Sequence, residues 1–142
     1  MTSKSKKVDE RFSKFNCAQT VFSLFATDLG IDEKTALKIS SGFGGGMVSA
    51  KTCGAVTGSY MVIGMKHGHS TSNPNKKADT KLLIQRFNKI FIEKHDSLIC
   101  KKLLGCNIST TEGLNSAHEK NLFQTKCPDF IKTACNILER DF

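Results

Sequence analysis

Glycine sets the terms for the middle of this chain. Between Ser41 and Gly64 it reads SGFGGGMVSAKTCGAVTGSYMVIG. A cluster (Gly42, Gly44, Gly45, Gly46) leads to Cys53, and Gly54, Gly58 and Gly64 then recur among apolar residues. The apolar residues suit a buried helix, yet each interior glycine costs a helix about 1 kcal/mol relative to alanine. Gly54 and Gly58 occupy i and i+4 positions and so share a helical face. A face without side chains lets another backbone, or a ligand, come close. These two glycines are therefore candidate cofactor-facing positions, and Cys53 at the head of the face is the candidate for chemistry. The cluster Gly42 to Gly46 reads as a loop. It is not a phosphate-binding loop, because it lacks the G-K-[ST] ending and no strand precedes it.

The rest of the chain is patterned for helices. Residues 1–7 read as a disordered basic tail, and residues 8–142 as a single helical domain. Val8 to Phe15 suits a turn or two of helix. Asn16 precedes CAQTVFSLFATDLG, whose apolar residues recur at helical spacing, with Gly30 as its stop. Asp32 suits the N-cap of a helix carrying Ala36, Leu37 and Ile39 to Gly42. Thr52 can cap a helix from Cys53 to about Lys66. The polar loop 67–75 precedes a long helix from about Lys76 to Lys94, with Leu82, Leu83, Phe87, Ile90 and Phe91 facing inward. Asp96 or Ser97 suits the cap of a short helix holding Cys100, Leu103 and Leu104, stopped by Gly105. Ser109 to Glu112 starts a helix reaching Lys120, and Cys127-Pro128 opens the last one. The expected fold is an all-α, single-domain bundle of about six to seven helices.

Composition narrows the function classes. The 142 residues are 39% hydrophobic and 24% charged, as in a globular domain. No apolar run approaches the roughly 18 residues of a spanning helix. The basic start MTSKSKK is followed by Val-Asp-Glu-Arg rather than an apolar segment, which is not a secretory signal. A cytoplasmic location is expected, where thiols stay reduced. The net charge of +8 is spread over the chain with no arginine stripe, and there is no tryptophan. A solvated basic surface is the expectation, not a nucleic-acid site.

Six cysteines then carry the interest. Cys17 follows the cap Asn16, Cys53 follows Thr52, and Cys100 falls in the first turn after Asp96 or Ser97. Cys127 stands before Pro128. Four of the six thus fall at expected helix starts, where unpaired N–H groups and the helix dipole favour a thiolate. Cys106 follows Gly105, and Cys135 lies mid-helix beside an apolar face; both read as packing residues. No pair forms C-x-x-C, and zinc-finger and haem-attachment spacings are absent. His67 and His69 lie in a polar turn and read as exposed, and His95 and His118 have no evident partner.

Four segments together resemble a known family: Phe15-Asn16-Cys17-Ala18-Gln19, Ser41 to Met47, Cys53-Gly54-Ala55-Val56-Thr57-Gly58, and the Cys100–Gly105 and Cys127-Pro128 pieces. In this order they are similar to the redox-active C-GCAxxG-C-C proteins, over nearly the whole chain after the tail. The resemblance implies a small helical protein with four characteristic cysteines, which map to Cys17, Cys53, Cys100 and Cys127. It also implies a partner, since such proteins are often associated with membrane transporter genes.

Two kinds of chemistry fit these residues. In the first, Cys53 is the nucleophile of thiol–disulfide exchange, and Cys17, Cys100 or Cys127 resolves the mixed disulfide with an unnamed redox partner. In the second, Cys17, Cys53, Cys100 and Cys127 are ligands of zinc or an iron–sulfur cluster; the count suffices, although closely spaced ligand pairs are missing. A third reading is a non-enzymatic, redox-sensing partner of a membrane transporter. The cofactor is left open between none, zinc and a cluster.

Overall fold

The computed structural model describes residues 2–142, and among them are nine α-helices and no strand. They are α1 (Val8–Phe12), α2 (Cys17–Ala26), α3 (Glu33–Ser40), α4 (Gly54–His67), α5 (Pro74–His95), α6 (Cys100–Leu104), α7 (Thr111–Glu119), α8 (Leu122–Thr125) and α9 (Cys127–Asp141). The all-α expectation holds, with more helices than six or seven. The excess is in short pieces: α1 and α6 have five residues each and α8 has four. α8 had no sequence signal, because a single turn has no periodicity to read. No helix among the described residues is long and apolar enough to cross a membrane.

Side-chain caps place most helix starts. Asn16 makes a capping box with Gln19: Asn16 Oδ1 accepts from the Gln19 N–H at 2.9 Å, and Gln19 Oε1 accepts from the Asn16 N–H at 3.0 Å. The same side chains reach outward. Asn16 Nδ2 donates to the Ser41 carbonyl and Gln19 Nε2 to the Leu37 carbonyl, which fixes α2 to the end of α3. Asp32, Asn73 and Thr110 cap α3, α5 and α7. Asp96, expected as an N-cap, instead ends α5 in the left-handed region, and Ile99 precedes α6.

The core forms around α2 and α4. Val21, Phe22, Leu24 and Phe25 of α2 meet Ala55, Val56, Val62 and Ile63 of α4, and Phe87, Phe91, Ile131 and Leu138 close over them from α5 and α9. Gly58 permits this approach. A Cβ there would lie 2.9 Å from the Ala18 carbonyl oxygen and 3.2 Å from Val21 Cβ. Buried hydroxyls bond back along their own helices, Thr20 to the Asn16 carbonyl and Ser59 to the Ala55 carbonyl. Leu82 corrects the expected inward face of α5, being 63% exposed while Phe87 and Phe91 are buried. The helical spacing of α5 is broad enough to be read one position off.

Several groups within residues 2–5 bond to α9. The Thr2 N–H and hydroxyl donate to Asn136 Oδ1, the Lys4 N–H donates to Glu139 Oε1, and Ser5 is buried. Lys4 Nζ also reaches Asp28. A run of polar residues carries no hydropathy signal for such anchoring. Met1, the first residue of that expected tail, lies outside the described residues.

Between α3 and α4 the chain winds left-handed. Gly45, Gly46, Met47, Val48 and Ala50 have φ of 61°, 60°, 59°, 56° and 55°. The Lys51 N–H closes the turn on the Gly46 carbonyl at 3.1 Å. Glycine adopts this hand freely, but each other L-residue costs roughly 1–2 kcal/mol there. An isolated antiparallel bridge pairs Thr52 with Ile99 just beyond the turn. The Cys53 N–H thereby donates to the Leu98 carbonyl at 2.8 Å, and the Cys100 N–H to the Lys51 carbonyl at 2.6 Å. Val48 is 76% exposed, so its side chain contributes little packing to offset its backbone strain.

Two substitutions should therefore act in opposite directions in urea unfolding. Val48→Asn relieves left-handed strain and is expected to add about 1 kcal/mol. Gly58→Ala overpacks α2 against α4 and is expected to remove about 1–3 kcal/mol. A stabilised Gly58→Ala variant would contradict the close-approach account.

Candidate functional site

The four helix starts that carry cysteines face one another. Cys17 is the first residue of α2, Cys53 the residue before α4, Cys100 the first of α6 and Cys127 the first of α9, next to Pro128. Thr52 does not cap α4, since it is held in the bridge to Ile99, so that helix begins one residue later than expected. All four thiols line a single cavity of about 620 Å³. Its walls also include Phe12 of α1, Phe15, Gly45, Gly46, Gly54, Ile108, Phe123 of α8 and Phe130 of α9. Cys53 and Cys100 are buried, whereas Cys17 and Cys127 are half-buried. All six cysteines are free thiols.

The other candidates sort cleanly. Cys106 lies outside the cavity and its thiol faces the Ser116 hydroxyl at 3.7 Å. Cys135 is buried in the core on α9. Gly54 lines the cavity, but Gly58 is covered by α2 and does not. No histidine lines it either: His67 donates to the main-chain oxygen of Phe142, His69 to that of Thr71, and His95 packs between the Phe91 and Phe130 rings.

Cys17 is set apart by its surroundings. Its pKa is lowered from the ordinary 9.0 to about 7. The Cys53 thiol beside it is the largest cause, burial opposes, and the backbone amides of Gly45, Ala18 and Gly54 reinforce the lowering. Those amides come from the left-handed turn, from the first turn of α2 and from the first turn of α4. The other thiols move the opposite way. Cys53 is pushed well above its ordinary value by its hydrogen bond to Cys17, by burial and by the Cys17 charge. Burial, with the Cys17 charge behind it, raises Cys100 to about 11 and Cys127 to about 12. Of the four cavity thiols, Cys17 is the one whose surroundings favour the thiolate.

Glycine at position 54 is a condition of this arrangement. A Cβ there would lie within 2.3 Å of Cys17 Sγ and 2.9 Å from the Ala18 nitrogen. The amides of Gly45 and Ala18 and the aromatic walls had no readable sequence signal, apart from Phe15 directly before the Asn16 cap.

The four thiols do not form a ready ligand set. Among the described residues no group of three or more His, Cys, Asp or Glu side chains is placed to hold a metal ion. Sharing a cavity is a looser condition than the tetrahedral convergence that a zinc or cluster site needs.

A family described as "Putative redox-active protein (C_GCAxxG_C_C)" matches residues 15–140. The match spans all four cavity cysteines. The family name writes Gly-Cys-Ala-x-x-Gly where this chain has Cys53-Gly54-Ala55-Val56-Thr57-Gly58, and a side chain at position 54 would overlap Cys17 Sγ. No curated protein and no solved structure matches the chain significantly.

Gly54→Ala should push Cys17 off its amides. Followed by thiolate ultraviolet absorbance, the first titration midpoint is expected to rise from about 7 toward 9.0, with helical circular dichroism retained. A shift of one unit corresponds to about 1.4 kcal/mol of lost thiolate stabilisation. An unmoved midpoint would mean that the amides do not hold the charge.

Proposed function

The chain belongs to the C_GCAxxG_C_C family, redox-active by its description, and from that premise we propose that it performs thiol–disulfide exchange through the pair Cys17 and Cys53. Cys17 is the attacking thiolate and Cys53 the resolving thiol. This reverses the order expected from the sequence, where Cys53 was the nucleophile. The observation that carries the reading is that Cys17 and Cys53 meet in one cavity at the starts of α2 and α4, where the surroundings lower the pKa of Cys17 and raise that of the buried Cys53.

The electrostatics order the two steps. The Cys17 thiolate attacks one sulfur of a disulfide R–S–S–R′; a Cys17–S–S–R bond forms and R′S⁻ leaves, taking a proton from solvent. Cys17 is then neutral. The charge and the hydrogen-bond acceptor that held the Cys53 proton are gone, so Cys53 ionises more readily. Its sulfur attacks Cys17 Sγ, a Cys17–Cys53 bond forms, and RS⁻ departs as RSH. The protein dithiol loses two electrons and the substrate disulfide gains them. An external thiol or dithiol reverses the sequence. Cys100 and Cys127, raised by burial, stay protonated at the cavity wall through both steps.

The pH dependence has a definite sign. Attack requires the thiolate, so the rate falls on acidification below about 7 and levels off above it.

Trapping separates the two roles. Cys53→Ala should stop after the first step and carry one equivalent of a disulfide reagent on Cys17, located by peptide mass analysis. The unaltered chain should instead release both thiols and become about 2 Da lighter, by the two hydrogens that a new disulfide removes. Cys17→Ser should react at least about tenfold more slowly at neutral pH, because Cys53, Cys100 and Cys127, the other thiols of the cavity, are held protonated. A Cys17→Ser variant as reactive as the unaltered chain would overturn the assignment.

A further inference from the structure

The cavity wall says which disulfide can reach Cys17. We propose that the substrate is a small apolar or aromatic disulfide without negative charge, an inference that rests on the exchange reaction proposed above.

Three observations point there. The cavity, at about 620 Å³, has the size of a small-molecule site. Cys53 is only 6% exposed. A disulfide embedded in a folded protein would have to bring its flanking backbone into that space, whereas a free small disulfide would not. The wall is aromatic and aliphatic, with Phe12, Phe15, Phe123 and Phe130 on several sides. Base-free flat rings stack on such surfaces without needing polar partners.

Charge makes the selection sharper. The chain carries 21 lysines and arginines and a net charge of +8, yet none of those side chains lines the cavity. The one charged side chain on its wall is Asp9, which pairs with Lys132 Nζ at 2.9 Å. A carboxylate on the substrate would meet no free cation on the cavity wall, since Lys132 is taken up by Asp9, a costly placement away from water. The backbone amides at the starts of α2 and α4 favour negative charge at the Cys17 sulfur itself. Glutathione disulfide, with several carboxylates, is therefore disfavoured, and a neutral aromatic disulfide is favoured.

The test compares neutral 4,4′-dithiodipyridine with dianionic 5,5′-dithiobis(2-nitrobenzoate), with oxidised glutathione as a third probe. Reduced protein is mixed with each at neutral pH, and each rate is divided by that of a free cysteine peptide with the same reagent. The normalised rate for the neutral aromatic probe should exceed both anionic ones by about tenfold or more. Gln124 is exposed at the cavity rim. Gln124→Lys should accelerate the dianionic probe several-fold relative to the neutral one. Equal normalised rates, or faster reaction with the anions, would overturn the substrate class while leaving the Cys17–Cys53 reaction intact. Unchanged rates for every probe in Cys17→Ser would instead remove the exchange reaction beneath it.

Discussion

The surroundings of a single sulfur, that of Cys17, tie the structure together. Negative charge there is favoured by the Cys53 thiol and by backbone amides from three separate segments. Each segment has to be held for that to work. The Asn16–Gln19 box fixes the start of α2 and anchors it to α3. The Thr52–Ile99 bridge fixes the start of α4. The left-handed turn delivers Gly45 at a cost in backbone strain at Met47, Val48 and Ala50. Gly54 leaves the space in which the sulfur sits. The unusual backbone of the middle of the chain therefore converges on one atom.

Placing four cysteines around one cavity does not make them equivalent. Three are held as neutral thiols by burial and by the charge on the fourth. This division suits the proposed exchange, in which one thiol attacks and another resolves. Cys53 differs from Cys100 and Cys127 in that its largest perturbation is the hydrogen bond to Cys17. In the proposed exchange that perturbation disappears once Cys17 enters a disulfide, so the second step would be conditioned by the first.

Much of the fold was legible because its signals are local. Asn16, Asp32 and Pro128 mark helix starts through the chemistry of their own side chains, and Gly30 and Gly105 mark stops. The places of Cys17 and Cys127 at helix starts followed from those marks, whereas Cys53 and Cys100 were placed there through Thr52 and Asp96, which do not cap α4 and α6. The shared face of Gly54 and Gly58 was legible too, but its use was split: Gly58 admits α2, and Gly54 admits a sulfur. The roles of Cys17 and Cys53 were not legible, since they depend on amides brought from distant positions. The left-handed hand of Met47, Val48 and Ala50 runs against residue preference, so local patterning could not announce it. Anchoring of residues 2–5 depends on Asn136 and Glu139, more than a hundred positions away.

The most direct test of the account is a pH titration of all six cysteines by carbon-13 NMR of their β-carbons, on the reduced, unaltered chain. Cys17 is expected to titrate alone near 7, with Cys53, Cys100 and Cys127 still protonated beyond 9. Cys53 titrating first, or no cysteine titrating below its ordinary value of 9.0, would contradict the account.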